Sequence, residues 1–195
     1  MNTQILLLRG VMPTGKNKVL MAPLRAALEA AGLRDVRTYI QSGNTIVSTE
    51  LEQPELEQLV HHAIKDKLGG DIQVIARTPA YFMQVMENNP FKHQNPSQLY
   101  FTLLRSPADS TLLQAFHALE HAPDQVRVIG DIAYIVCASR YRDLKANNNF
   151  IERKLKVVAT TRNFNTMSKL IALSTGTDGA HPRQHPVNSR PRTNM

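Results

Sequence analysis

Val36-Arg37-Thr38-Tyr39-Ile40-Gln41-Ser42-Gly43-Asn44-Thr45-Ile46-Val47-Ser48 decides the fold. Residues 36–41 and 44–48 carry the β-branched and aromatic side chains of strands, and Ser42-Gly43 between them suits a reversal. A hairpin here makes the sheet antiparallel, and the neighbouring segments must be compatible with that. Upstream, residues 4–9 form a short apolar run ended by Gly10 and read as a buried strand. Leu24, Ala27, Leu28 and Ala31 then share one helical face. Pro23 is tolerated only in a first helical turn, so this helix begins near Met21, and Gly32 stops it. Downstream, Leu56, Leu59, Val60, Ala63, Ile64 and Leu68 recur at helical spacing over 54–68. Gly69-Gly70 closes that helix, and residues 72–76 form a fourth strand. Strand, helix, hairpin, helix, strand is the β-α-β-β-α-β ferredoxin-like arrangement.

The order then returns. Residues 99–104 read as a strand, and 109–120 as a helix with Leu112, Leu113, Phe116 and Leu119 on its apolar face. Residues 126–129 and 132–137 flank the turn Gly130-Asp131. Segment 147–155 is a short helix, 157–160 a strand and 165–173 a last helix. Thr78-Pro79 starts an additional helix, as cap and first-turn proline. The expected class is therefore α+β, a tandem duplication of ferredoxin-like units with antiparallel sheets. The first unit is 1–77, a helix and linker occupy 78–97, and the second unit is 98–173. No residue identity between the halves is evident, so the repeat is one of pattern. From 174 the composition turns to Gly, Pro, Thr, Asn, Arg and His, which predicts a disordered basic tail over 174–195.

At 195 residues and 42% hydrophobic content the chain can bury a real core. No signal peptide can be read at the N-terminus, and the longest apolar run, 132–138, is far too short to span a bilayer. The single Cys137 sits in that run and reads as a buried structural thiol. A cytoplasmic location is expected. The net charge of +7 is uneven: residues 1–90 are neutral, and Arg140, Arg142, Lys145, Arg153, Lys154, Lys156, Arg162 and Lys169 crowd 140–169. That asymmetry points to an anionic partner.

Several segments together resemble one family. They are Leu7-Leu8-Arg9-Gly10, Gly15-Lys16-Asn17, the Val36–Asn44 stretch quoted above, Asn89-Pro90-Phe91 and Thr160-Thr161-Arg162-Asn163-Phe164-Asn165-Thr166. They are similar to the signature of a large bacterial family, domain of unknown function 1697, over residues 3–173. The resemblance implies two ferredoxin-like units and carries no activity. This chain has Phe164 where many relatives have Trp. It also has Val11-Met12-Pro13-Thr14 where they have a Gly-rich loop without proline.

Gly10-Val11-Met12-Pro13-Thr14-Gly15-Lys16-Asn17 falls one residue short of a phosphate-binding G-x-x-x-x-G-K-[ST] loop. Asn17 replaces the metal-binding hydroxyl, Pro13 removes an N–H donor, the helix starts late, and the antiparallel sheet is wrong for that fold. What survives is one wall of an anion site, from Arg9, Lys16 and Asn17. His117-Ala118-Leu119-Glu120-His121 matches a zinc-peptidase pattern, but Pro123 ends the helix and no third ligand is in view. Ser42 has neither an adjacent base nor a strand-to-helix elbow, so no catalytic set is assigned. The remaining polar blocks suggest a shared cleft. Arg37, Tyr39, Gln41, Ser42 and Asn44 of the first unit would meet Arg162, Asn163, Asn165 and Lys169 of the second, since pockets favour such junctions. The expectation is non-catalytic binding of an anionic ligand, nucleic acid or a phosphate-containing molecule, with no cofactor and no metal. An enzyme acting on a small phosphorylated compound and a protein-interaction module are the alternatives.

Overall fold

The computed structural model describes residues 1–11, 14–15 and 17–176. The first unit runs β1 (Asn2–Leu8), α1 (Met21–Ala30), β2 (Arg34–Tyr39), β3 (Asn44–Thr49), α2 (Gln53–Leu68) and β4 (Val74–Arg77). Its sheet has the order β2-β3-β1-β4 with every pair antiparallel. After α3 (Pro79–Glu87), the second unit runs β5 (Leu99–Leu104), α4 (Ser110–His117), β6 (Gln125–Ile129), β7 (Ile132–Val136), α5 (Asn148–Leu155), β8 (Ala159–Asn163) and α6 (Phe164–Thr175). Its sheet order, β6-β7-β5-β8, repeats the first in every pairing. The fold is α+β, with two ferredoxin-like units in tandem.

Local chemistry sets most boundaries. The α1 helix opens at Met21 with Pro23 in its first turn. At the end of α2, Gly69 adopts the left-handed conformation at φ 72°. Thr78, Asp109 and Asn147 cap α3, α4 and α5 by accepting backbone N–H bonds from the first turn. Some expectations shift. The β2–β3 connection is wider than a two-residue turn, because a 3₁₀ turn at Ile40–Ser42 precedes Gly43. The α4 helix stops at His117, short of the expected 120. Lys156 closes α5 in the left-handed conformation, which delays β8 to Ala159. Ser174 and Thr175, assigned to the tail by composition, continue α6, while residues 177–195 of that tail lie outside the described residues.

Strand β1 is buried on both faces, which explains the unbroken apolar run Ile5–Leu8. Leu6 and Leu8 pack under α1 and α2. Ile5 and Leu7 face the opposite way, into a cluster with Phe82 of α3, Met167 and Leu170 of α6, and Phe101 and Leu103 of β5. The outer face of the second sheet is covered by α4 and α5, where Cys137 is buried. The layers are thus two helices, a sheet, α3 with α6, a second sheet, and two helices. Within the segment 78–97, α3 belongs to the central layer that both sheets share. Fully burying a side chain such as Phe82 or Leu170 stabilises by about 1.5–3 kcal/mol, so this layer joins the two units into one body. No helix among the described residues is long and apolar enough to cross a membrane.

Candidate functional site

Strand β8 sets the site. Residues opposite one another in an antiparallel pair share a face, and β8 pairs Thr160 with Leu103 and Arg162 with Phe101. Thr160 and Arg162 therefore point toward the central layer and the first unit. Arg162 is buried, and its guanidinium makes five hydrogen bonds. Its Nε donates to Asn44 Oδ1 at 2.5 Å and one Nη to Thr160 Oγ1 and the Thr161 carbonyl, both at 2.8 Å. The other Nη donates to the Leu8 and Ser42 carbonyls at 3.1 and 3.2 Å. The β2–β3 connection is shaped for this contact. Ile40 at φ 50° and Gly43 at φ 74° enclose the 3₁₀ turn that turns the Ser42 carbonyl toward Arg162. A Cβ on Gly43 would lie 2.6 Å from Leu8 Cβ, so only glycine fits there. Asn44 is itself held by donating to Tyr39 O and Ser42 Oγ.

Beside Arg162 opens a cleft of about 440 Å³ between the units, lined by Arg9, Gly10, Ser42, Tyr141, Asn149 and Thr161 among others. A neighbouring depression shares Tyr141 and Asn149 and reaches Arg142. Arg9 crosses the junction to Glu152 of α5, with Nε to Oε1 at 2.7 Å and a second bond from Nη2, which also reaches Asn149 Oδ1 at 3.0 Å. That bond to Glu152 raises the Arg9 pKa and cancels its charge. Among the described residues Arg162 has no such partner: every acceptor bonded to it is neutral. Burial lowers its pKa to about 10, still far above neutrality, so the cleft wall keeps one uncompensated positive charge. Ser42 Oγ and Thr160 Oγ1 each accept an internal bond, which leaves their hydroxyl protons to donate elsewhere.

The other side of the junction repeats this construction with the units exchanged. Arg77 pairs with Ile5 in β4 as Arg162 pairs with Phe101 in β8, and Leu8 and Leu104 end the matching strands. Arg77 donates to the Leu104 and Arg105 carbonyls at 2.8 and 3.1 Å and to Asp131 Oδ2 at 3.0 Å. Arg105, the counterpart of Arg9, donates to Glu57 Oε2 at 3.0 Å. Glu57 and Glu152 are each the fifth residue of their helix, and each accepts a β-strand N–H, from Ala76 and Ala159. Asp131 also accepts from the Tyr81 hydroxyl at 2.8 Å, and burial with that bond raises the Tyr81 pKa. Residue identity between the halves therefore exists, in Leu7-Leu8-Arg9 against Leu103-Leu104-Arg105 and in Arg77 against Arg162. This corrects the reading of a repeat in pattern alone.

Of the residues expected at a cleft, Arg9, Ser42 and Arg162 line it and Asn44 bonds Arg162 directly. Gln41 is exposed and donates to the Val19 carbonyl at 2.6 Å, holding the loop before α1. Asn17 lies close to Gly10, and Lys16 lies outside the described residues. Arg37 reaches instead to the Leu173 carbonyl at the end of α6, at 2.9 Å. Tyr39 packs against the central cluster. Asn163 caps α6 by accepting from Thr166 N, Asn165 is exposed on the first turn, and Lys169 lies farther along that helix; none of the three lines the cleft. Tyr141, Asn148, Asn149, Thr160 and Thr161 were missed as wall residues. The Asn147-Asn148-Asn149 run was the available signal, read only as a helix start. Beyond α4, His121 packs against the Phe116 and Phe150 rings, so His117 and His121 do not share a helix face.

A conserved bacterial protein from Streptococcus pneumoniae has a similar solved structure, with a TM-score of 0.72 and 21% identity over 90% of this chain and 99% of that one. At that identity the likeness speaks to fold. No curated protein matches the chain. The family model described as Protein of unknown function (DUF1697) matches residues 1–134, which leaves the Thr160–Thr166 block beyond the match. With more than half its length matched by that model and its fold shared with the streptococcal protein, the chain belongs to the DUF1697 family.

Proposed function

We propose that this chain is a cytoplasmic protein that binds a small anionic molecule in the cleft between its two units without transforming it. One observation carries the reading: Arg162 is buried with its charge uncompensated at the wall of a cleft large enough for a small ligand. Burying a charge without a counter-charge is costly, and a bound anion relieves that cost. The exposed side chains of Arg140 and Lys145 lie on the segment around Tyr141 and add a favourable field for an approaching anion, while Asp143 offsets the charge of Arg142. The hydroxyls support binding rather than chemistry. Ser42 receives a bond from an amide and Thr160 from a guanidinium, and Glu152 is held by Arg9. None of these arrangements offers a base to take a hydroxyl proton.

The test is a thermal-shift panel at constant ionic strength. It contains sulfate, inorganic phosphate, benzoate, phenyl phosphate and a single-stranded oligonucleotide, each against the parent chain and Arg162→Met. A ligand at a hundredfold its Kd stabilises by about 2.7 kcal/mol. At least one small anion should raise Tm in the parent chain and not in the variant. A flat panel, or a shift that survives in Arg162→Met, refutes the reading. A response confined to the oligonucleotide, steeply salt-dependent and lost when Arg142 and Lys145 are neutralised, would instead favour a polymer on the basic rim.

A further inference from the structure

We infer that the anion held beside Arg162 is a carboxylate, so that the ligand is a small carboxylic acid supplying the charge that Asp131 supplies beside Arg77. The inference rests on the anion-binding reading of the cleft and narrows it. The two junction centres are built from matching positions, and they differ in charge. Around Arg77 stand two arginines, Arg77 and Arg105, and two carboxylates, Glu57 and Asp131. Among the described residues, the centre at Arg162 holds two arginines, Arg9 and Arg162, and one carboxylate, Glu152. By hydrogen-bond register the counterpart of Asp131 is Gly43, since Leu104 N donates to the Asp131 carbonyl as Leu8 N donates to the Gly43 carbonyl. The protein thus completes one centre with its own side chain and leaves a single negative charge missing from the other.

The missing charge is single, and that selects the head group. One uncompensated guanidinium balances a carboxylate, whereas a phosphate monoester near pH 7 carries close to two charges. The second charge would find no further uncompensated guanidinium among the described residues that line the cleft. Arg162 also has no N–H left for the fork-like grip by which arginine holds phosphate, because all five are engaged. Two hydroxyl protons, on Ser42 and Thr160, remain to meet the two oxygens of a carboxylate.

Benzoate and phenyl phosphate share a ring and differ in the head group, so they separate the possibilities. Amide chemical shifts of Gly10, Ser42 and Thr161 are followed in a titration with each at pH 7.5 and constant ionic strength. Benzoate should bind at least about threefold tighter, given the unpaired second charge of the phosphate. Asn44→Asp, which places a carboxylate against Arg162 Nε, should abolish the benzoate response. Tighter binding of phenyl phosphate overturns the carboxylate assignment while leaving anion binding intact, and silence from both probes overturns both. Undiminished benzoate binding by folded Asn44→Asp would also overturn the charge argument. The comparison of the two probes on the parent chain decides the matter even where that variant does not fold.

Discussion

Replacing Arg77 by Met should destabilise this protein more than replacing Arg162 by Met, although the two arginines occupy matching positions and are equally buried. The difference follows from what each leaves behind. Arg77→Met removes the guanidinium from two carboxylates: Asp131, which then keeps only the Tyr81 hydroxyl, and Glu57, which keeps Arg105, Gln53 and the Ala76 N–H. Removing one partner of a fully buried pair costs about 3–5 kcal/mol, and solvent at Asp131, whose side chain is 24% exposed, reduces that penalty here. Arg162→Met also loses five hydrogen bonds, but the groups left behind are three carbonyls, an amide oxygen and a hydroxyl, all neutral. The unfavourable burial of an unpaired cation disappears at the same time. Arg77→Met strands the Ala76, Leu104 and Arg105 carbonyls as well, so the neutral acceptors largely cancel between the two variants and Arg162→Met should be the milder by about 1–3 kcal/mol. Urea denaturation followed by circular dichroism suits a chain without Trp. It should show the Arg77 midpoint displaced farther than the Arg162 midpoint, with m unchanged. Equal losses, or a larger loss at Arg162, would refute the view that its charge is uncompensated.

Glu152→Gln should release the charge of Arg9 into the cleft and raise benzoate affinity about three- to tenfold, moderated by screening of the partly exposed Arg9. A titration that shows weaker or unchanged binding would count against the cleft as the site. Leu170→Ala, in the layer shared by both sheets, should cost about 2–5 kcal/mol and leave one unfolding transition; separate transitions for amides of β1 and β7 would contradict a shared core. Burial lowers the pKa of His121 below its ordinary 6.5, and its Nε2 has no partner among the described residues. The unfolded chain then binds that proton more readily, so stability is full above pH 6.5 and is lost as pH falls through the folded-state value. Tm measured from pH 7.5 to 5 should fall more steeply in the parent chain than in His121→Leu.

The elements were legible because their signals are local. Leu24, Ala27 and Leu28 repeat at helical spacing, Pro23 permits only a first turn, and Thr78 caps the helix that follows it. The hairpin at 36–48 pointed to the antiparallel sheet, and with it came the expectation that Gly10–Asn17 is not a nucleotide-binding loop. Within the site, Arg9, Ser42, Asn44 and Arg162 stood out as polar groups where strands and turns meet.

What each of those groups contacts is a different matter. Arg9 reads as a free cation until the fold brings α5 under it and Glu152 neutralises it. Arg37 reads as a cleft residue until α6 ends beside it. The internal repeat is hidden because α5 has 8 residues where α2 has 16, so no constant offset aligns Arg77 with Arg162. Periodicity, caps and turns depend on neighbours along the chain, and the sequence alone was sufficient for the two units and their elements. Charge compensation depends on partners across space, so only the tertiary structure decided that Arg77 is neutralised from within and that Arg162 is not.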